Sequence, residues 1–354
     1  MKRALGFMNK ALPITYNTYI GGVSATIGTA SSLATKLGIS VGNISNFSIV
    51  GSDIKCLITG SYGIPLNAFN ANTAITYYKD NDGLVTSLGS SSFASCTNLA
   101  EIKFVNLVTV STLVFRFCSN LITLNNSFLN TTTIGNVCFD GCSKITALNF
   151  PMLGLLSTDT TAICRDMTLL ASFSAPNMTL SPSISISQNN SFFSGCINLT
   201  SVDLTSLNVI PENIFRGCSA ITSISFPTAT KINAYGCFYN CINLPSVSFP
   251  LLTQVAHNGF ETFWYTKLAV IDWKNVVNLS SLGGQFFRFS LTTTILDIRS
   301  ATTLGSSVLN NNVFAGMTAG TTLRANSFLQ TNNSGAADGD VQDFITRGGT
   351  VVYF

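Results

Sequence analysis

The sequence predicts an α/β solenoid with one stacked parallel β-sheet on one wall, short turns or helices on the other, and a cap at each end. Three observations lead there. First, FFSGCINLTSVDLTSL, IFRGCSAITSISFP and CFYNCINLPSVSFP follow one another between Phe193 and Pro250, and each sets Phe, Cys, two aliphatics and a closing apolar residue at fixed spacing. Their cysteines, Cys196, Cys218 and Cys241, stand 22 and 23 residues apart, a period at which each unit buries its apolar edge only against its neighbours. Second, the closing part of each copy alternates: Ile102 and Phe104 point one way and Glu101 and Lys103 the other, which is strand periodicity. Third, both ends leave the repeat and read as caps.

Taken in order, residues 1–65 are expected to be an N-terminal cap and attachment module. Thr29 to Gly38 reads as a short helix with Thr29 or Ser31 as N-cap, Leu33 and Leu37 on one face, and Gly38 as the stop. Asn46 to Thr59 reads as a hairpin around Gly51, Ser52 and Asp53, covering the open edge of the first coil. Residues 66–325 form the solenoid. Phe69, Asn72, Ile75 and Tyr78 start it, and copies at Phe93, Phe115 and Phe139 follow. In the fifth copy Cys164 takes the Phe slot and Met167 the Cys slot, and Tyr265 and Met317 are read into the Cys slot of later copies. The Ser/Asn-rich stretch Ser181 to Asn190 is read as a loop. Residues 326–354 are the C-terminal cap. Asp338 or Asp340 would cap a helix that buries Val341, Phe344 and Ile345, Gly348 and Gly349 would end it, and a strand would run to Phe354.

Only 9% of the residues are charged, against about 25% in ordinary soluble chains, and the net charge is +3 without any basic block. Nothing in this charge pattern points to nucleic acid, and no nucleic-acid partner is expected; nor is membrane insertion expected, since no apolar run reaches spanning length. The start, MKRALGFMNKALPITYNTY, has a basic tip, but Lys10 and Pro13 interrupt it, and it is not expected to be a signal peptide. With Leu5, Met8 and Leu12, the cations Lys2, Arg3 and Lys10 suit either an amphipathic docking segment or a frayed end.

Catalytic and metal chemistry find little support. Cys96, Cys118, Cys142, Cys196, Cys218 and Cys241 share one slot that also takes Met, so they read as packing thiols rather than disulfides or ligands. Cys138/Cys142 and Cys237/Cys241 lack zinc spacing. The sole histidine, His257, has no serine elbow with it and reads as a turn residue. Asp80, Asp82 and Gly83 begin like a calcium loop, but no Glu follows at the twelfth position, so a turn is expected. No metal, cofactor or catalytic constellation is predicted.

The repeated FxxCxxLxxIxFP, with Pro151, Pro227 and Pro250 trailing, resembles the BspA-like class of leucine-rich repeats over roughly residues 69–325. That resemblance implies a leucine-rich-repeat solenoid and a non-enzymatic role in adhesion or structure. The family is spread among surface adhesins of anaerobes, protist proteins and structural proteins of bacteriophages infecting Bacteroidetes. The flanks ALPITYNTYIGGVSATIGTASSLATKLGIS and TNNSGAADGDVQDFITRGGTVVYF resemble those phage tail proteins. The expectation is therefore a virion tail or tail-fibre component serving host recognition, with a bacterial or protist cell-surface adhesin as the alternative. Its partners would be other virion proteins and a host receptor, protein or glycan, and a homo-oligomer is open. The expected contact surface is the outward strand face: Ser201, Asp203, Ser223, Ser225, Ser246, Ser248, Asp272 and Lys274. Trp273 fills a core slot there, whereas Phe263 and Trp264 lie in a less regular coil, where burial is the expectation and an exposed aromatic platform the alternative.

Overall fold

The structure is a computed structural model that describes residues 15–23, 27–156, 162–181, 191–233, 235–256, 262–279, 293–304, 314, 317, 320–331 and 339–354. His257, Asp338, residues 182–190 of the Ser/Asn-rich stretch and the basic start lie outside the described residues.

The chain winds as a mostly-β parallel solenoid of about ten turns. Most repeats contribute a short strand from their LxxIxF segment to one wall, whereas the copy at Phe115 contributes only an isolated bridge from Thr123 to Glu101. Ala147–Asn149 pairs with Ser172–Ser174, which pairs with Ser201–Asp203, all parallel and in register. Ile224–Ser225 pairs with Val247–Ser248, and Val270–Asp272, Ile295–Ile298 and Thr322–Ala325 continue the wall. Alternation sends Ile102, Phe104, Phe173, Phe226 and Trp273 into the core.

A second ladder joins the one expected from sequence. Strands such as Val209–Ile210, Lys231–Asn233 and Gln254–Ala256 stack in parallel after the corner that follows each first strand. They are too short for periodicity to mark them; several contribute a single buried residue, such as Ile210 or Ile134.

The Phe slot lies in a turn on the remaining side, and its rings pile along the axis. Phe69, Phe93, Phe115 and Phe139 stack in sequence with centroids 5.1, 5.7 and 5.5 Å apart. Cys164 ends this pile, and a second runs through Phe193, Phe215, Phe238 and Phe263 at 5.3, 5.7 and 5.5 Å. Phe263 is therefore fully buried rather than exposed, because it completes that pile. Trp264 beside it is half-buried and Tyr265 exposed.

The turn imposes left-handed backbone just before the Cys slot, from Ala71 (φ 55°) through Phe117 (φ 59°) to Gly217 (φ 78°) and Tyr265 (φ 59°). That geometry corrects one assignment. Tyr265 is the left-handed residue, and buried Thr266 takes the Cys slot, because this coil has one residue fewer between the turn and Leu268.

The Cys slot does more than fill space. Cys218 Sγ donates to Phe193 O at 3.1 Å, while Cys196 N donates to the same oxygen at 3.0 Å. Cys96, Cys118, Cys142 and Cys241 repeat this with Phe69, Phe93, Phe115 and Phe215 at 3.0–3.1 Å. Each thiol thus ties a coil to the one before it. All ten cysteines are free and buried. Asparagines add further ties: Asn98 Nδ2 donates to Thr73 O and Asn120 Nδ2 to Thr97 O, both at 2.7 Å.

The caps follow from end-of-coil chemistry. Helix Ala30–Leu37 starts at Thr29, whose hydroxyl accepts from Ser32 N in a capping box, and ends at left-handed Gly38. The hairpin Ile44–Val50/Asp53–Ile58 forms, but it reaches the first coil through an intervening strand, Thr18–Gly21, antiparallel to both. At the other end, helix Gly339–Thr346 buries Val341 and Phe344, with Phe344 5.5 Å from Phe314. Ile345 points outward at 40% exposure, and Asp340 lies inside the first turn rather than at the N-cap. Strand Thr350–Tyr353 then pairs in parallel with Thr322–Ala325.

Candidate interaction surface

The outward residues of the first wall are those the fold does not use. Ser201, Ser223, Ser225, Ser246, Ser248, Asp272 and Lys274 are exposed, and Asp203 is half-buried. Register fixes their alignment: Ser172 opposes Ser201 and Ser174 opposes Asp203, while Ser225 opposes Ser248. Strand geometry therefore presents small hydroxyls in rows, with positions set by the ladder rather than by flexible loops.

The two ends of this face are charged. Near the N-terminus Lys79 Nζ meets Glu101 at 2.6 Å, and Asn125 Nδ2 donates to Glu101 at 2.8 Å. Near the C-terminus Asp272 opposes Asp297, which opposes Arg324. Asp297 is 4% exposed, held by Arg299 and by Arg324 at 3.5 Å. Burial works against the charge of Asp297, but the two arginines outweigh it and hold its carboxyl below the usual range. The Arg299 guanidinium also lies 4.6 Å from the centroid of the Phe354 ring, tying the last residue to this face. Arg299 and Arg324 reach this face over the buried Asp297, and none of the three was among the residues expected there. The signal was present in sequence, because Asp272/Lys274 and Asp297/Arg299 repeat one Asp-x-cation spacing at the same slot of adjacent coils.

Between the serine rows and the charged end the wall opens. Val247–Ser248 pairs with Ile224–Ser225, and Val270–Asp272 pairs with Ile295–Ile298; no strand ladder runs between these two sheets, and the coils are tied across the gap by Ala269 N, which donates to Pro245 O at 3.0 Å, and by Asn275 Nδ2, which donates to Pro250 O at 3.1 Å. The break holds a cleft of about 310 Å³ lined by Ser246, Ser248 and Pro250 on one side and Val270, Asp272 and Lys274 on the other. Lys274 Nζ and its backbone N–H both donate to Asp272, at 2.9 and 3.2 Å. Four of the expected residues thus line one cleft, while Ser201, Asp203, Ser223 and Ser225 lie outside it.

Nothing in the arrangement of the described residues suggests covalent chemistry. Burial pushes every thiol up, Cys96 and Cys196 to about 12, so they stay protonated and unreactive. Among the described residues no cluster of three or more His, Cys, Asp or Glu could hold a metal. Asp80 accepts from Val85 N at 2.8 Å within its turn, while its Oδ1 is buried without a hydrogen-bond partner. No helix among the described residues is long and apolar enough to cross a membrane.

Solved structures with a similar course include a leucine-rich repeat protein of T. pallidum, 20% identical over 49% of this chain and 74% of that one, TM-score 0.35. A leucine rich cell surface protein of Faecalibacterium prausnitzii is 16% identical over 80% and 86%, TM-score 0.36. A leucine-rich repeat protein of Bacteroides ovatus is 18% identical over 88% and 91%, TM-score 0.34. No curated protein matches the chain. The BspA type leucine rich repeat region matches in six copies over residues 62–180 and 184–318, which is well over half of the chain and indicates no catalytic family. The chain belongs to the BspA-type leucine-rich-repeat family.

Proposed function

We propose that this protein is a non-enzymatic recognition scaffold displayed at a bacterial cell surface, where it acts as an adhesin through its outward strand face. The observation that carries this reading is the register of that face. Exposed serines and a polar cleft stand on a rigid ladder that does not need them for packing. Membership of the BspA-type family, whose members the sequence resemblance places among surface adhesins, supports the same reading. A surface with so little charge also suits a protein that works anchored in an assembly, since net charge would contribute little to keeping it dispersed.

The flanking segments favour a second reading, a tail or tail-fibre component of a bacteriophage virion that recognises the host. Both readings use the face in the same way and differ in where the scaffold is mounted. Brief protease treatment of intact producing cells, followed by mass spectrometry, separates them. Release of peptides from residues 66–325 supports surface display. Their absence from shaved cells, together with recovery in purified particles, would move the protein to the virion.

A further inference from the structure

The cleft at the break in the strand wall has a composition that narrows what can enter it. Ser246 and Ser248 present hydroxyls that make no hydrogen bond within the protein among the described residues, and each can donate and accept. Opposite them, Asp272 accepts two bonds from Lys274 and retains acceptor capacity, while the Lys274 ammonium has donors left after its single bond. Between these polar walls lie Pro250 and Val270, both exposed, with Val270 at 44%.

Several ligand classes fail against this set. A phosphate or a second carboxylate would sit against Asp272. A divalent cation would find one carboxylate and a lysine ammonium beside it, where hard cations need six or more oxygen ligands for calcium. An aliphatic chain would leave two serine hydroxyls and an ion pair without water or partners. The volume, about 310 Å³, lies at the lower end for ligand pockets and suits a single small ring. A pyranose satisfies the remaining requirements. Its vicinal hydroxyls donate to Asp272 and accept from Lys274, the serines bond in either direction, and its C–H face covers Pro250 and Val270.

We propose that this cleft is a monosaccharide subsite that takes one neutral pyranose residue of a glycan. The proposal rests on the strand-face reading above and adds the ligand class.

The test is saturation-transfer NMR on the full chain with methyl glycosides of glucose, galactose, mannose, N-acetylglucosamine and fucose, followed by titration of those that respond. At least one should bind, with Kd on the order of 1 mM for so small a contact. Asp272→Ala and, separately, Ser248→Val should each weaken it tenfold or more. Thr35→Gln, exposed on the N-terminal helix and outside the strand face, should leave it unchanged. Circular dichroism confirms folding, and the serine variant alone decides if the aspartate variant unfolds. A chain that binds none of the five, or binds them equally well after both substitutions, overturns the subsite. If macromolecular binding through the strand face persists in that case, the broader reading stands without it.

Discussion

Raising the pH should unfold this protein early and steeply, through its buried thiols. Each of the ten cysteines is buried and none is in a disulfide. Burial disfavours the thiolate, and lifts Cys56, Cys96, Cys138 and Cys196 from 9.0 to about 12, with the other six raised as well. Because the folded pKa lies above the unfolded one, the native state holds protons that the unfolded chain releases. The stability from this source is complete below about pH 8.5 and is lost as pH rises through 9 towards 12. Between pH 7.5 and 9.5 each thiol costs on the order of 1 kcal/mol, and ten acting together remove a large part of a typical folding free energy of about 5–15 kcal/mol. Urea unfolding followed by circular dichroism at pH 7.5, 8.5 and 9.5, under reducing conditions, should show the midpoint falling sharply over the last interval. At pH 7.5 a thiol reagent should react only after denaturant is added. A midpoint that stays level to pH 9.5, or rapid native reaction of several cysteines, would refute the claim that these thiols are packed and protonated.

Three further outcomes follow from single positions and from the cap. Cys218→Ser should cost about 1–2 kcal/mol, because the hydroxyl keeps Phe193 O as acceptor but fills less of the slot; a loss above about 3 kcal/mol in urea unfolding would show that the bond is not retained. Gly217→Ala should cost about 1–2 kcal/mol from left-handed backbone alone, since φ is 78° and an added Cβ would meet nothing nearer than 3.7 Å; an unchanged melting temperature would contradict the turn geometry. Deleting residues 326–354 should cause aggregation by baring the Thr322–Ala325 edge and the face under Val341 and Phe344; a monodisperse product with native melting by light scattering and calorimetry would make the segment an appendage.

How much of this was legible in the sequence depended on how each feature is encoded. The Phe, Cys and LxxIxF slots are buried repeatedly at fixed spacing, so their burial could be read directly. The N-terminal helix was equally clear, because Thr29 and Gly38 mark its ends chemically. The second ladder was hidden because a two-residue strand such as Val209–Ile210 has no period to detect. The thiol bonds were hidden because packing alone explains a buried cysteine, and only the structure places Phe193 O against Cys218. The slot of Thr266 was missed because counting back from Leu268 assumes a constant loop, and that loop is one residue shorter here. On the surface, the serine rows could be derived from strand alternation. The cleft could not, because it arises where pairing between two coils stops, which no local pattern announces.

The central claim is that the outward strand face is the contact surface. It is tested most directly by comparing the native chain with a Ser225→Arg/Ser248→Arg double variant in binding to immobilised mucins, matrix glycoproteins and bacterial surface polysaccharides. Both positions are exposed and oppose each other in register, so the arginines should leave the circular dichroism spectrum and melting temperature unchanged. The account predicts that the native chain binds at least one of these surfaces and that the folded double variant loses tenfold or more of that affinity. Equal binding by both proteins would contradict it and place recognition elsewhere on the solenoid.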